Sequence, residues 1–423
     1  MTSLEKPEIR LDRDQLRKIQ ESKLDRVLQS ARSIPFWRPF LAAIDSQWTP
    51  WETFSRLPFV TKDQLVADQR ERPPFGGLFA SHQGPPSRYH QTSGTSGRSL
   101  RWLDDPASWE WMLSCWRIGF ELAGVDRSDR LFFPFSFGPF LGFWTAFEAA
   151  SRAGILSIPG GGLSSEARLR MAIDLEATIL LGTPSYLLHL GERAREMQLR
   201  LPKVRMLIVA GEPGGSIPGT RRRLEEAWSA RVIDHCGMTE TGPTSMECEA
   251  HPHGLHIFES EFLAEIIDPA TGQAADRGEL VLTNLGRTYG PLLRYRTGDL
   301  VEKDPEPCPC GSLFLRLKGG ILGRRDDMVF IRGNNFHPSA LLPVLFDLPE
   351  LAEYRATIHS GEALSSLRLE VEPVIGALAG PLVNKVEKLI REKFLFRAEV
   401  EAVPAGFLPR ADLKARRHIL IRD

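Results

Sequence analysis

Residues 92–97 place four hydroxyls and two glycines in a row: Thr92, Ser93, Gly94, Thr95, Ser96 and Gly97. Glycine lets the backbone close on an anion, and Ser and Thr add donors, so the run suits a phosphate. Arg98 and Ser99 follow Gly97, where a Walker A loop requires lysine, so the segment is not that motif. A plain Ser/Gly turn is the alternative reading.

Three further stretches could complete the same chemistry. In DHCGMTETG (234–242) Glu240 could ligate Mg²⁺ on a nucleotide and Thr239 could donate to its phosphate, although a carboxylate after a strand is also ordinary. In YRTGDL (295–300) Asp299 could accept from two ribose hydroxyls, or simply close an Asx-type turn. In FLPRADLKARRH (407–418) the Lys414 ammonium could neutralise a developing negative charge, or belong to a solvated tail.

The elements that must position these residues are legible as alternating strands and helices. A helix is expected over 13–32. Strands are expected at 130–135, 153–159, 177–182, 204–211 and 230–237, with helices at 184–199 and 218–229. That alternation predicts an α/β fold with a parallel sheet, whose ligands sit beyond the C-terminal strand ends. AGEPGG (210–215) and HCGMTETG (235–242) occupy such ends. After 255 the texture changes: 262–285 reads as two strands of an antiparallel or barrel-like subdomain. Beyond Asp326, segments such as RLEVEPV, a helix over 381–394 and AEVEAVPAG form a small α+β unit.

Composition excludes some partners. The formal charge is −1, from 53 basic and 54 acidic side chains, so no net field draws nucleic acid or an acidic membrane. The apolar run at 131–144 is too short to span a bilayer and carries two prolines. The start is polar and lacks a signal-peptide core. The five cysteines do not make a disulfide framework, and a cytoplasmic setting is expected.

The motifs TSGTSG, AGEP, HCGMTETG, YRTGDL, GRRDDMVFIRG and LPRADLKARR follow one another in the order found in adenylate-forming enzymes. With CPCGS and GRRDDMVFIRGNNFHPS, the chain resembles the phenylacetate-CoA ligase branch over roughly 20–420. The resemblance implies a large N-terminal domain (1–325) with parallel sheets and a barrel-like subdomain, and a small mobile α+β domain (326–423). Thr92 through Gly97 would hold ATP phosphates. Ala210, Gly211, Glu212 and Pro213 would lie along adenine, with Asp234, Asp299 and Arg324 completing the nucleotide set. Glu240 would carry Mg²⁺, Asp326 would be the hinge, and Lys414 would bridge carboxylate and α-phosphate.

The implied activity is an aryl-acid:CoA ligase working through an aryl-adenylate, with ATP, Mg²⁺ and coenzyme A. A carrier protein is an alternative acceptor, and a non-enzymatic scaffold on a degenerate ligase fold is the competing class. Two departures stand out: Cys236 replaces the usual Tyr, and Asp412-Leu413 replaces Glu-Gly before the lysine.

The aromatic run 134–144 with AGEPGG and HCG suits a flat aryl acid. Ser136, Phe137, Gly138, Ala210, His235, Cys236 and Gly237 are the expected pocket residues. His235 or Ser136 would meet a ring amino or hydroxyl group. Anthranilate is the first choice beside salicylate, benzoate and phenylacetate. Cys248, Cys308 and Cys310 with His256 could form a Cys₃His zinc site, with His253 as the alternative ligand and unligated thiols as the bland reading. A homodimer is expected from the family.

Overall fold

The structure is a computed structural model that describes residues 8–42, 44, 47–80, 84–92, 99–327, 329–331, 334–360, 366–410 and 415–422. The expected elements are present, with four of the five strands shorter than expected. Arg130–Phe133, Leu156–Pro159, Ile179–Gly182, Met206–Val209 and Arg231–Met238 form a five-stranded parallel array. The first stops at Pro134 because proline brings no N–H to a ladder. The array continues, antiparallel, through Gly242–Cys248, His251–Ile257 and Arg316–Lys318, giving an eight-stranded sheet.

The helix Pro106–Leu122 covers this sheet with Trp109, Met112, Cys115, Trp116 and Phe120 in the core. Asp105 accepts from the Ser108 N–H and Pro106 opens the helix, both ordinary start signals. The first long helix, Arg13–Ser33, is closed at its start by reciprocal bonds between Asp12 and Gln15.

A four-stranded antiparallel sheet, Phe262–Ile267, Arg277–Asn284, Tyr295–Glu302 and Gly323–Arg324, follows. A short hairpin, Arg88–Gln91 with Arg101–Asp104, was not expected from the sequence; Gln91 opposite Arg101 forms its neck. The last part has its own core and its own sheet. Leu351–Ser360 and Ser366–Pro373 lie at its centre, Glu399–Ala402 and His418–Arg422 at its edges, with the helix Ala379–Phe394 across it. It meets the larger part at helix Pro218–Trp228. There a Cβ on Gly219 would stand 2.7 Å from the Phe346 carbonyl oxygen, so glycine permits the approach. Arg223 donates to the Leu348 carbonyl at 2.8 Å across the same contact. No helix among the described residues is long and apolar enough to cross a membrane.

Candidate active site and cysteine–histidine centre

The site residues converge on strand Arg231–Met238 and the turn after it. Burial raises the Cys236 thiol far above its ordinary value, and the nearby Asp299 and Asp234 carboxylates raise it further while Arg324 opposes them. Arg324 Nη1 is 3.0 Å from Asp299 Oδ1, directly across the antiparallel pair. Asp234 accepts from Ser216 Oγ at 2.5 Å; burial pushes its carboxyl up to about 7. The loop after Met206–Val209 lies against it so closely that a Cβ on Gly215 would come within 2.5 Å of Asp234 Cγ.

Glu240 sits in the turn between two strands and is almost fully buried. Its Oε1 is 3.4 Å from the Lys62 ammonium, at the start of helix Lys62–Glu71. A carboxylate supplies the hard oxygen that Mg²⁺ takes, and the Lys62 ammonium competes with a metal ion for it. Lys62 carried no signal in its local sequence; it arrives because Val60 is bonded to Arg294 and Arg296 beside the Asp299 strand. Thr239 contributes its carbonyl oxygen to Arg287 at 2.8 Å.

Of the first motif, Thr92 is described and Ser93, Gly94, Thr95, Ser96 and Gly97 lie outside the described residues. Thr92 closes the neck: its N–H donates to Leu100 O, and its Oγ1 accepts from Leu100 N, both at 2.9 Å. Lys414 also lies outside the described residues, as does the side chain of Asp326. Next in sequence to Lys414, Ala415 donates its N–H to Glu212 Oε2 at 2.9 Å, and Glu212 Oε1 accepts from Ser185 N at 2.7 Å. Arg417 reaches Ser185 Oγ at 3.1 Å while paired with Glu353. The Glu212 carboxylate thus joins two parts of the chain; Ala210 continues the strand, bonded to Gly182, and Gly211 has a positive φ of 93°.

The aromatic wall is continuous. The Phe137 ring lies 4.5 Å from Trp144, 5.4 Å from Phe135 and 5.5 Å from Phe147. Gly138 O accepts from Trp144 Nε1, and Ser136 Oγ accepts from Gly162 N at 3.0 Å. His235 packs against Trp116 with ring centres 4.3 Å apart and planes tilted by 44°. Its Nδ1 lies 2.8 Å from the Ser245 carbonyl, which can only accept, so Nδ1 carries the proton and Nε2 a lone pair. Nε2 lies 3.4 Å from where a Gly237 Cβ would stand. Burial holds the ring down to about 4, hence neutral near pH 7.

A second cluster joins Cys248, His256, Cys308 and Cys310, whose ligand atoms all lie within 4.8 Å of one another. Cys248 Sγ is 3.5 Å from Cys308 Sγ, and Cys310 Sγ is 3.6 Å from His256 Nε2. Thiolates around tetrahedral zinc stand about 3.8 Å apart, so the set fits that ion. His256 Nδ1 donates to Phe314 O at 3.2 Å, leaving Nε2 to face the sulfurs. Among the described residues the cluster includes the His256 ring and not that of His253, whose backbone N–H is bonded to Glu247.

No family profile matches the chain. The phenylacetate-coenzyme A ligase of Thermus thermophilus is 31% identical over 374 residues, covering 86% of this chain and 82% of its own. The chain belongs to the phenylacetate-coenzyme A ligase family. The family member from Pseudomonas putida is 29% identical over 423 residues, with 95% and 93% covered. Among solved structures, a 2-hydroxyisobutyryl-CoA ligase in the postadenylation state with an acyl-AMP superposes with a TM-score of 0.87 at 30% identity, covering 97% of this chain and 90% of that one. The same ligase in the thioesterification state, with CoA bound, gives 0.71, with 98% and 91% covered. As a member of this family the chain has the adenylate-forming CoA ligase fold, a large part and a small C-terminal part. Its arrangement of the two matches the postadenylation form better.

Proposed function

We propose that this chain is an ATP-dependent acid:CoA ligase that works through an acyl-adenylate, and that its acid is an aryl carboxylate bearing a ring hydrogen-bond donor. The observation that carries the first half is the docking of 415–417, next in sequence to Lys414, onto Glu212 and Ser185 at the strand-end loops. A carboxylate oxygen of the acid attacks the α-phosphorus of ATP, and the bond to pyrophosphate breaks. The CoA thiol, losing its proton, then attacks the acyl carbon as AMP leaves. No protein nucleophile is needed; position and charge suffice.

Thr92 through Gly97 bind the phosphates in this reading. Gly211 to Pro213 with Asp234 line the base, Asp299 takes the ribose hydroxyls beside Arg324, and Lys414 stabilises the α-phosphate charge. Glu240 would hold Mg²⁺, which screens the pyrophosphate charge, and Thr239 shapes its turn. The small part turns about Asp326 to let CoA reach the acyl carbon.

The aryl half rests on the wall of Phe135, Phe137, Phe147 and Trp144, with Ala210, Gly138, Cys236 and Gly237 beside it. The neutral His235 offers an acceptor at Nε2, which favours an amino or hydroxyl substituent such as those of anthranilate or salicylate over bare benzoate or phenylacetate. The cysteine–histidine cluster is proposed as a structural Zn²⁺ site tying Cys248 to the 308–310 turn.

ATP–pyrophosphate exchange over anthranilate, salicylate, benzoate and phenylacetate, with Lys414→Ala as control, tests the proposal. Exchange with a donor-bearing acid, lost in the variant, supports it; adding CoA, or a carrier protein, names the acceptor. A folded, ATP-binding protein that exchanges with none of the four refutes the aryl reading.

A further inference from the structure

Arg287 and Asp104 are both fully buried, 183 residues apart in sequence. Arg287 Nε and Nη2 meet the two Asp104 oxygens at 2.6 and 2.7 Å, a two-pronged pairing. The remaining nitrogen, Nη1, donates to the carbonyl oxygens of Thr239 and Glu240 at 2.8 and 2.9 Å. The guanidinium also lies over the Trp102 ring at 4.8 Å. Arg287 therefore directs four N–H groups at three acceptors on two separate segments.

Stability alone does not explain this arrangement. Desolvating two charges offsets much of their attraction, and apolar residues of like volume would serve a core as well or better. What apolar residues cannot do is hold two carbonyls of an irregular turn in place. Asp104 ends the strand Arg101–Asp104, whose hairpin carries Thr92 at its neck. The carbonyls belong to the turn that carries Glu240.

We propose that Arg287, anchored by Asp104, is the positioning residue for Glu240, fixing that carboxylate relative to the Thr92 hairpin so that metal and phosphate are held in register. The proposal rests on the reading of Glu240 as the Mg²⁺-associated carboxylate. Arg287 touches neither nucleotide nor metal and acts only through the turn.

The test uses the full chain, Arg287→Lys, Glu240→Gln and the double variant. ATP binding is measured by calorimetry with and without Mg²⁺, alongside ATP–pyrophosphate exchange and CoA consumption of presynthesised acyl-adenylate. Lysine keeps the charge beside Asp104, but one ammonium cannot span three acceptors on two segments. Exchange should fall about 100-fold, the scale on which misplacement by about 1 Å acts. The Mg²⁺-dependent gain in ATP affinity should fall with it, and CoA consumption should hold. The double variant should lose no more than Glu240→Gln alone.

Losses that multiply in the double variant, or a Mg²⁺ gain in Arg287→Lys equal to the wild type, overturn the positioning role. A wild-type protein that gains nothing from Mg²⁺ overturns the Glu240 reading itself, and the proposal with it. Should Arg287→Lys not fold, Arg287→Met with Asp104→Leu removes both buried charges together and must show the same lost Mg²⁺ gain.

Discussion

The Glu212 carboxylate offers a way to separate the two half-reactions. One oxygen accepts from Ser185 N, within the large part, and survives any motion of the small part. The other accepts from Ala415 N at 2.9 Å and exists only while the two parts are docked as here. Glu212→Ala therefore costs the docked arrangement one charge-assisted bond, worth about 1.5–3 kcal/mol. That is roughly a 10–150-fold shift in the docking equilibrium. Loss of the Ser185 contact is common to both arrangements and cancels. Pyrophosphate exchange, which on the proposed reading needs the lysine segment in place, should fall by up to that factor. On the proposed reading that this docked arrangement serves the first half-reaction, CoA consumption of presynthesised acyl-adenylate should hold or rise; the arrangement matches a postadenylation structure better than a thioesterification structure. Equal loss in both assays, or loss in neither, would refute the reasoning.

Three further expectations come from other parts of the molecule. Metal analysis of the purified chain should find one zinc, and Cys308→Ser or a chelator should lower the melting temperature while releasing it; a metal-free protein as stable as the native one would remove the zinc assignment. Burial holds His90 down to about 4, against the pull of Asp104, and the stacked ring against Trp109 stays neutral. The unfolded chain takes its proton near 6.5, so stability is present above that pH and is lost as pH falls from about 6.5 toward 4, by about 3 kcal/mol. Asp234 works in the opposite sense: held up to about 7, it disfavours the fold as pH climbs from about 4 to 7. Comparison of His90→Phe with the wild type at pH 5 and 7.5 isolates the first effect; equal acid sensitivity of the two proteins would contradict it.

The local residues by themselves determined the parallel core and the order of its motifs. Alternation of apolar runs with helical stretches is written into neighbours along the chain, so the strands around 131, 180, 207 and 233 and the helices between them were legible, with ends displaced where Pro134 or Gly211 stops a ladder. The helix over 379–394 and the paired strands after 262 were legible for the same reason. The resemblance grouped Asp234, Asp299 and Glu240; the first two lie within the strands Arg231–Met238 and Tyr295–Glu302, and Glu240 lies in the turn after the first. His256, the preferred histidine, is the ring in the cysteine cluster.

Only the tertiary structure decided what those residues touch. The antiparallel extension through Gly242–Cys248 and His251–Ile257 was hidden because its sequence carries turn and metal-like residues instead of a strand alternation. The pairing of Lys62 with Glu240, the anchoring of Arg287 on Asp104 and the use of Glu212 by Ala415 join segments 178, 183 and 203 residues apart. No local periodicity encodes such partners. They are chosen when sheets and helices close on one another, because a charge taken out of water there must find its counterpart among whatever residues the fold has brought within reach.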